Sequence, residues 1–239
     1  DRRTWLRRVT FDLTGLPPTP EEITAFLQAP EQGAREGVVD QLLESTAHAE
    51  HFGRHWLDLV RFAESRGHES DFVTPNAWEY RDYVIRAFNS DKPYGRFVRE
   101  QVAGDALYPD TRDGIEATGF ISAGPWDFIG HAEVPETKLD GRIARNIDRD
   151  DMVKNTMNTF ISTTVQCARC HNHPLEKWTN DQYYSFANLF ARVRAKGWGG
   201  DARSGDGART LFIADRGDLI QPRTGKPQPP APLDGQAIA

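Results

Sequence analysis

The sequence predicts an all-α, mostly helical single domain with a short C-terminal β-hairpin or irregular tail. Three observations predict it. Apolar residues recur at three- and four-residue spacing along most of the chain. Helix-start signals stand in front of several of these runs. After Gly197 the texture changes to glycine and proline. We therefore place a helical domain over residues 1–196 and a Gly/Pro-rich hairpin and linker to a further domain over 197–239.

Each element has a local reason. Thr4 to Leu13 carries Trp5, Leu6, Val9 and Leu13 at helical spacing, and Gly15 with Pro17-Pro18 ends it. Thr19-Pro20-Glu21-Glu22 then combines a capping hydroxyl, a proline in the first turn and acids at the positive dipole end. Val38, Val39, Leu42 and Leu43 mark a third helix. Phe52, Trp56, Leu59, Val60 and Ala63 form one continuous stripe, which Gly67 closes. Asn76 to Asn89 turns Ala77, Tyr80, Val84 and Phe88 inward. Pro93 opens a helix through Tyr94, Phe97, Val98 and Gln101, ending near Gly104. Tyr108 to Leu139 reads as loop, with a short apolar piece at Ala117 to Ala123. Asp150 to Gln166 is expected to be a helix with Val153, Met157, Phe160 and Ile161 inside, running straight into Cys167. Thr179 with Gln182 makes a capping box for a last helix carrying Tyr183, Phe186, Ala187 and Phe190. Thr210 to Ala214 is a strand candidate.

Composition bounds the function. At 239 residues the chain can bury a core without disulfide staples. A net charge of −6 is the wrong sign for a phosphate-binding surface, so nucleic acid is not an expected partner. No apolar run approaches the roughly 20 residues of a membrane span. The chain opens at Asp1 without a Met, and we read it as a piece of a longer protein. No serine triad, phosphate loop or paired-carboxylate arrangement can be identified from spacing, which leaves open whether the chain is an enzyme.

One motif carries chemistry. The chain's two cysteines fall in Cys167-Ala168-Arg169-Cys170-His171, the C-x-x-C-H pattern of covalent haem attachment. Two thiols one turn apart can add to the two vinyl groups of one porphyrin, and the following imidazole can ligate the iron. Haem c is therefore the expected cofactor, attached at Cys167 and Cys170 with His171 on the iron. Two rivals stay open. Cys167, Cys170, His171 and His173 could hold zinc or another transition metal, although four ligands within seven residues are cramped for a closed tetrahedron. The cysteine pair could also form a disulfide, but a thioredoxin-like pair would follow a strand and this one follows a helical pattern.

Further stretches match one family. They are Arg8-Val9-Thr10-Phe11-Asp12-Leu13-Thr14-Gly15-Leu16-Pro17-Pro18, Arg54-His55-Trp56-Leu57-Asp58 with Arg61-Phe62-Ala63-Glu64-Ser65, and Asn76-Ala77-Trp78 with Tyr80-Arg81-Asp82-Tyr83-Val84. Asp91-Lys92-Pro93-Tyr94, Phe97-Val98-Arg99-Glu100-Gln101 and Ala103-Gly104-Asp105 follow in order. Together these resemble the planctomycete-type cytochrome c domain, a domain of unknown function found in large secreted proteins. The resemblance implies a helical, extracytoplasmic module, periplasmic or secreted, with a cytochrome-like domain upstream and another domain downstream. Arg223-Thr224-Gly225-Lys226-Pro227 resembles the downstream junction. Family members often continue the motif as His-Asp-His-Lys-Phe-Asp-Pro, whereas this chain reads His171-Asn172-His173-Pro174-Leu175-Glu176-Lys177-Trp178.

Other candidates complete the reading. A six-coordinate haem needs a distal ligand. His55 and Met157 are the candidates, with core packing the plainer reading of Met157. Arg169 is a candidate partner for a haem propionate. His173 is a candidate for a metal or for bonding behind His171. His48, His51 and His55 share one helix face. The pair His51 and His55 has metal-gripping spacing, yet no Glu stands between them as in zinc proteases, and a partly exposed face is the expectation. Arg54, Asp58 and Arg61 have ion-pair spacing. Asp71, Asp105, Asp127 and Asp140 lie near turns without EF-hand spacing. Three functions compete. The first is single-electron transfer to other redox domains of the same polypeptide or to small electron carriers. The second is a polysaccharide-processing module whose Cys–His cluster binds another metal or forms a disulfide. The third is a structural or carbohydrate-binding module.

Overall fold

The computed structural model describes residues 1–65, 73–123, 138–198 and 208–237. The described residues are mostly helical, with two small antiparallel strand pairs near the C-terminus. The chain divides into two compact units. Unit 1 comprises Asp1–Phe62 and Trp78–Thr118, and unit 2 comprises Ala63–Ala77 and Gly119–Ala239.

Unit 1 begins with α1 (Arg2–Thr14), capped by the Asp1 carboxylate and closed by Gly15 in the left-handed region at φ 70. Thr19 and Glu22 form a complete capping box for α2 (Pro20–Gln28). Next come α3 (Ala34–Leu43) and α4 (Thr46–Leu59), and α1 packs against α2, α3 and α4. The stripe expected on α4 is longer than the helix itself. Arg61 turns left-handed at φ 58, and Leu59 is 52% exposed. The reversal folds Phe62 back, where its amide donates to the Leu57 carbonyl and its ring meets Tyr80. Gly67, expected to close α4, lies outside the described residues.

The core of unit 1 is aromatic. Helices α5 (Ala77–Asn89) and α6 (Tyr94–Leu107) bring Tyr83 flat against Phe97, with centroids 5.7 Å apart, and Trp56 packs edge-on at 4.8 Å. Buried polar groups are matched within it. Tyr80 Oη and Trp56 Nε1 donate to Gln101 Oε1 at 2.6 and 3.1 Å. Glu100, 1% exposed, accepts from Tyr83 Oη at 2.9 Å and from Lys92 and Arg96. The stretch expected as loop after Tyr108 instead holds α7 (Arg112–Glu116), capped by Thr111, and α8 (Gly119–Ser122). Residues 124–137 of that stretch lie outside the described residues.

In unit 2, α9 (Leu139–Ile161) starts well before Asp150 and stops short of Gln166. Ser162, left-handed at φ 53, ends it, so no helix runs into Cys167. A 3₁₀ turn, Gln166–Arg169, carries the motif instead. The capping box of Thr179 and Gln182 is present and starts α10 (Asn180–Ala187), followed by a 3₁₀ turn, Asn188–Phe190. Val153, Met157, Val165, Ala168, Tyr183 and Ala187 are buried here. The strand candidate forms as β2 (Ala208–Ile213), antiparallel to β1 (Val193–Trp198). A turn with Gly225 at φ 69 joins β3 (Ile220–Gln221) to β4 (Lys226–Pro227). The tail packs within the unit. Leu219, Gln221, Ala231 and Leu233 are buried, and the Ala231 amide donates to the Ser185 carbonyl at 3.1 Å. Among the described residues no helix is long and apolar enough to cross a membrane.

Candidate functional site

The 3₁₀ turn organises the motif. Side chains three residues apart eclipse in such a turn, so Cys167 and the capping residue Cys170 emerge on one side. Both thiols are free and exposed. Ala168 between them is fully buried and anchors the turn to the core.

The start of α10 holds this turn in place. Asn180 Nδ2 donates to the Ala168 and Arg169 carbonyls at 2.8 and 2.9 Å. The Asn180 amide donates to Asn172 Oδ1 at 3.0 Å, and Gln221 Nε2 from the tail donates to Asn180 Oδ1 at 2.6 Å. Sequence reasoning missed Asn180 and Gln221. Neither lies in the motif, and only the fold brings residues this far apart together.

The imidazoles have different tasks. His171 is exposed, and its Nδ1 sits 2.6 Å from the Asn172 carbonyl. A carbonyl can only accept, so that contact places the ring proton on Nδ1 and the lone pair on Nε2. His173 is the reverse case. Its Nδ1 accepts from the Leu175 and Glu176 amides at 3.3 and 2.9 Å, and its own amide donates to the Trp178 carbonyl at 2.8 Å. His173 therefore closes the loop behind the motif.

Arg169 pairs with Asp150 at 2.8 Å while keeping 47% of its side chain exposed. Tyr183 Oη donates to the other Asp150 oxygen at 2.7 Å. Burial pushes the Asp150 carboxyl above its ordinary range, against the opposing pull of Tyr183 and Arg169. Burial likewise raises Tyr183 and Tyr184.

The remaining sequence candidates fall in both units. Met157 is fully buried in the core of unit 2, where it packs as an apolar side chain. His55 is exposed on α4 in unit 1, with its Nε2 3.4 Å from His51 Nε2. Arg54, Asp58 and Arg61 are exposed, and Arg61 lies beyond the helix. Asp105 is exposed on α6, while Asp71, Asp127 and the Asp140 side chain lie outside the described residues. No group of three or more His, Cys, Asp or Glu suited to one metal ion occurs among the described residues.

The order of elements, the capped α10 and the motif it clamps all lie in or beside a stretch that matches one family over residues 1–195. The chain belongs to the PSCyt2 family. That family is described as a protein of unknown function, DUF1549. No curated protein and no solved structure matches this PSCyt2 chain. The PSCyt2 match contains the whole of the motif, its Asn180 clamp and α1 to α10, and it ends within β1.

Proposed function

We propose that this domain carries covalently attached haem c and serves as a one-electron relay outside the cytoplasm. One arrangement carries the reading. Two exposed free thiols stand one tight turn apart, and the next residue is an exposed imidazole whose Nδ1 already faces a carbonyl. This donor set fits a porphyrin. Cys167 and Cys170 would form the thioethers, and His171 would offer Nε2 to the iron. Haem held there supplies reversible one-electron chemistry.

The chain's own residues do the positioning. Asn180 keeps the turn closed, so the thiols stay on one side. Arg169 retains exposed donors beside its Asp150 pair and is the cation we assign to a propionate. Leu175, 90% exposed in the adjoining loop, offers apolar surface that a bound macrocycle would shield. Neighbouring redox domains or small carriers would exchange the electron. The alternative is a polysaccharide-processing module whose Cys–His cluster holds another metal or a disulfide. It draws less support, because His173 Nδ1 already accepts two backbone amides.

Co-expression with a c-type maturation apparatus tests the reading. We expect a Soret band that survives denaturation and acid–acetone extraction and is lost in the Cys167→Ala/Cys170→Ala variant. His171→Ala should keep the covalent colour and change the ligation spectrum. Matured protein without a covalent tetrapyrrole overturns the reading.

A further inference from the structure

The geometry points to a transition-metal site on α4, built by His51 and His55 and separate from the Cys–His motif. The two Nε2 atoms face each other at 3.4 Å, one helical turn apart, with ring centroids 4.7 Å apart. Zinc–imidazole bonds are about 2.0–2.1 Å long and tetrahedral, which sets two nitrogens on one ion about 3.3–3.4 Å apart. The observed spacing meets that demand. A cation entering there would take the place of the ring-to-ring hydrogen bond that now joins the two Nε2 atoms, on a backbone that the helix already fixes.

The surroundings hold His51 in this position. His48 Nδ1 bonds the Leu13 carbonyl at 2.9 Å, which ties α4 to the end of α1. His48 and His51 both pack on Phe52, at 4.6 and 5.6 Å. Gly15 leaves the space for the His51 ring, since a Cβ there would come within 2.6 Å of His51 Nδ1. His55 is exposed, which gives the ion a way in.

Two imidazoles leave the remaining positions to water or to a donor from a ligand. The site is thus open, and it suits borderline divalent ions such as zinc, nickel or copper rather than calcium or magnesium. On this assignment His55 is a ligand of the α4 site.

Isothermal titration with Zn²⁺ alone, at pH 7.5, tests this in the full chain carrying Cys167→Ala/Cys170→Ala, which removes the competing thiols. We expect one saturable event per chain, lost when His51→Gln or His55→Gln is added, with helical circular dichroism unchanged. Should either variant fail to fold, imidazole ¹⁵N spectra of the unsubstituted pair decide the matter. Stoichiometric zinc should move the Nε2 signals of His51 and His55 together. No saturable event, an event that survives either substitution, or Nε2 signals that stay put overturns the assignment.

Discussion

Asn180 shows how much one side chain can decide. It donates to the Ala168 and Arg169 carbonyls from the first residue of α10, and it accepts from Gln221 in return. Asn180→Ala leaves the buried Ala168 carbonyl and the partly buried Arg169 carbonyl without their donor, at a cost of about 2 kcal/mol. Asn180→Asp should be worse, because it aims a carboxylate oxygen at both carbonyls. Urea midpoints of the two variants check the order. A midpoint for Asn180→Ala equal to that of the parent would remove Asn180 from the account of the turn. The His171 and His173 pair makes the same point. Two residues apart in sequence and alike in chemistry, they carry opposite tautomers, because one faces a carbonyl and the other faces two amides.

Among the elements, α6 and α7 are set by absent side chains. A Cβ on Gly104 would sit 2.1 Å from the Gly114 carbonyl oxygen, a backbone atom that cannot swing aside. Ala103 breaks the helical geometry beside it, at φ −151 and ψ 34. Gly104→Ala should therefore cost about 2 kcal/mol or more by forcing the two helices apart. Gly95 lies in the same helix with nothing within 4 Å of its Cβ position. Gly95→Ala should stabilise by about 0.5–1 kcal/mol through helix propensity and loss of unfolded-state freedom. Thermal midpoints that move in the same direction for both variants would refute the close-approach argument.

The two units of the molecule should respond oppositely to acid. In unit 1, burial pushes Glu100 and Asp113 up, but hydrogen bonds outweigh it and hold both below the ordinary carboxylate range. Lys92 bonds both carboxylates, with Arg96 and Tyr83 on Glu100 and Arg86 on Asp113. A depressed acid stabilises fully above its unfolded pKa, and that stability is lost as pH falls through the folded value. Unit 1 should therefore weaken from about pH 4 downward. Asp150 in unit 2 is raised, so its folded form takes the proton first, and acidification there adds stability. Native-state hydrogen exchange at pH 6 and pH 3.5 resolves the two units. The Glu100→Gln variant should lose much of the acid slope in unit 1, and an unchanged slope would show that the Lys92 network is not its source.

What could be read from sequence was what short-range rules govern. Helical periodicity, the capping boxes of Thr19–Glu22 and Thr179–Gln182, and the spacing of Cys167, Cys170 and His171 all lie within one turn of chain. Two of the departures, the early ends of α4 and α9, have local causes too weak to read, namely single left-handed residues at Arg61 and Ser162. The His51 and His55 spacing was visible, but the 3.4 Å approach depends on ring positions that α1 and Phe52 hold. The sequence by itself determined a helical PSCyt2 domain with a Cys–His motif, because local hydrogen bonding and periodicity are written in neighbouring residues. Only the tertiary structure decided which side chains clamp that motif, because Gln221 reaches Asn180 and Tyr183 reaches Asp150 across long loops whose closure depends on the packed core.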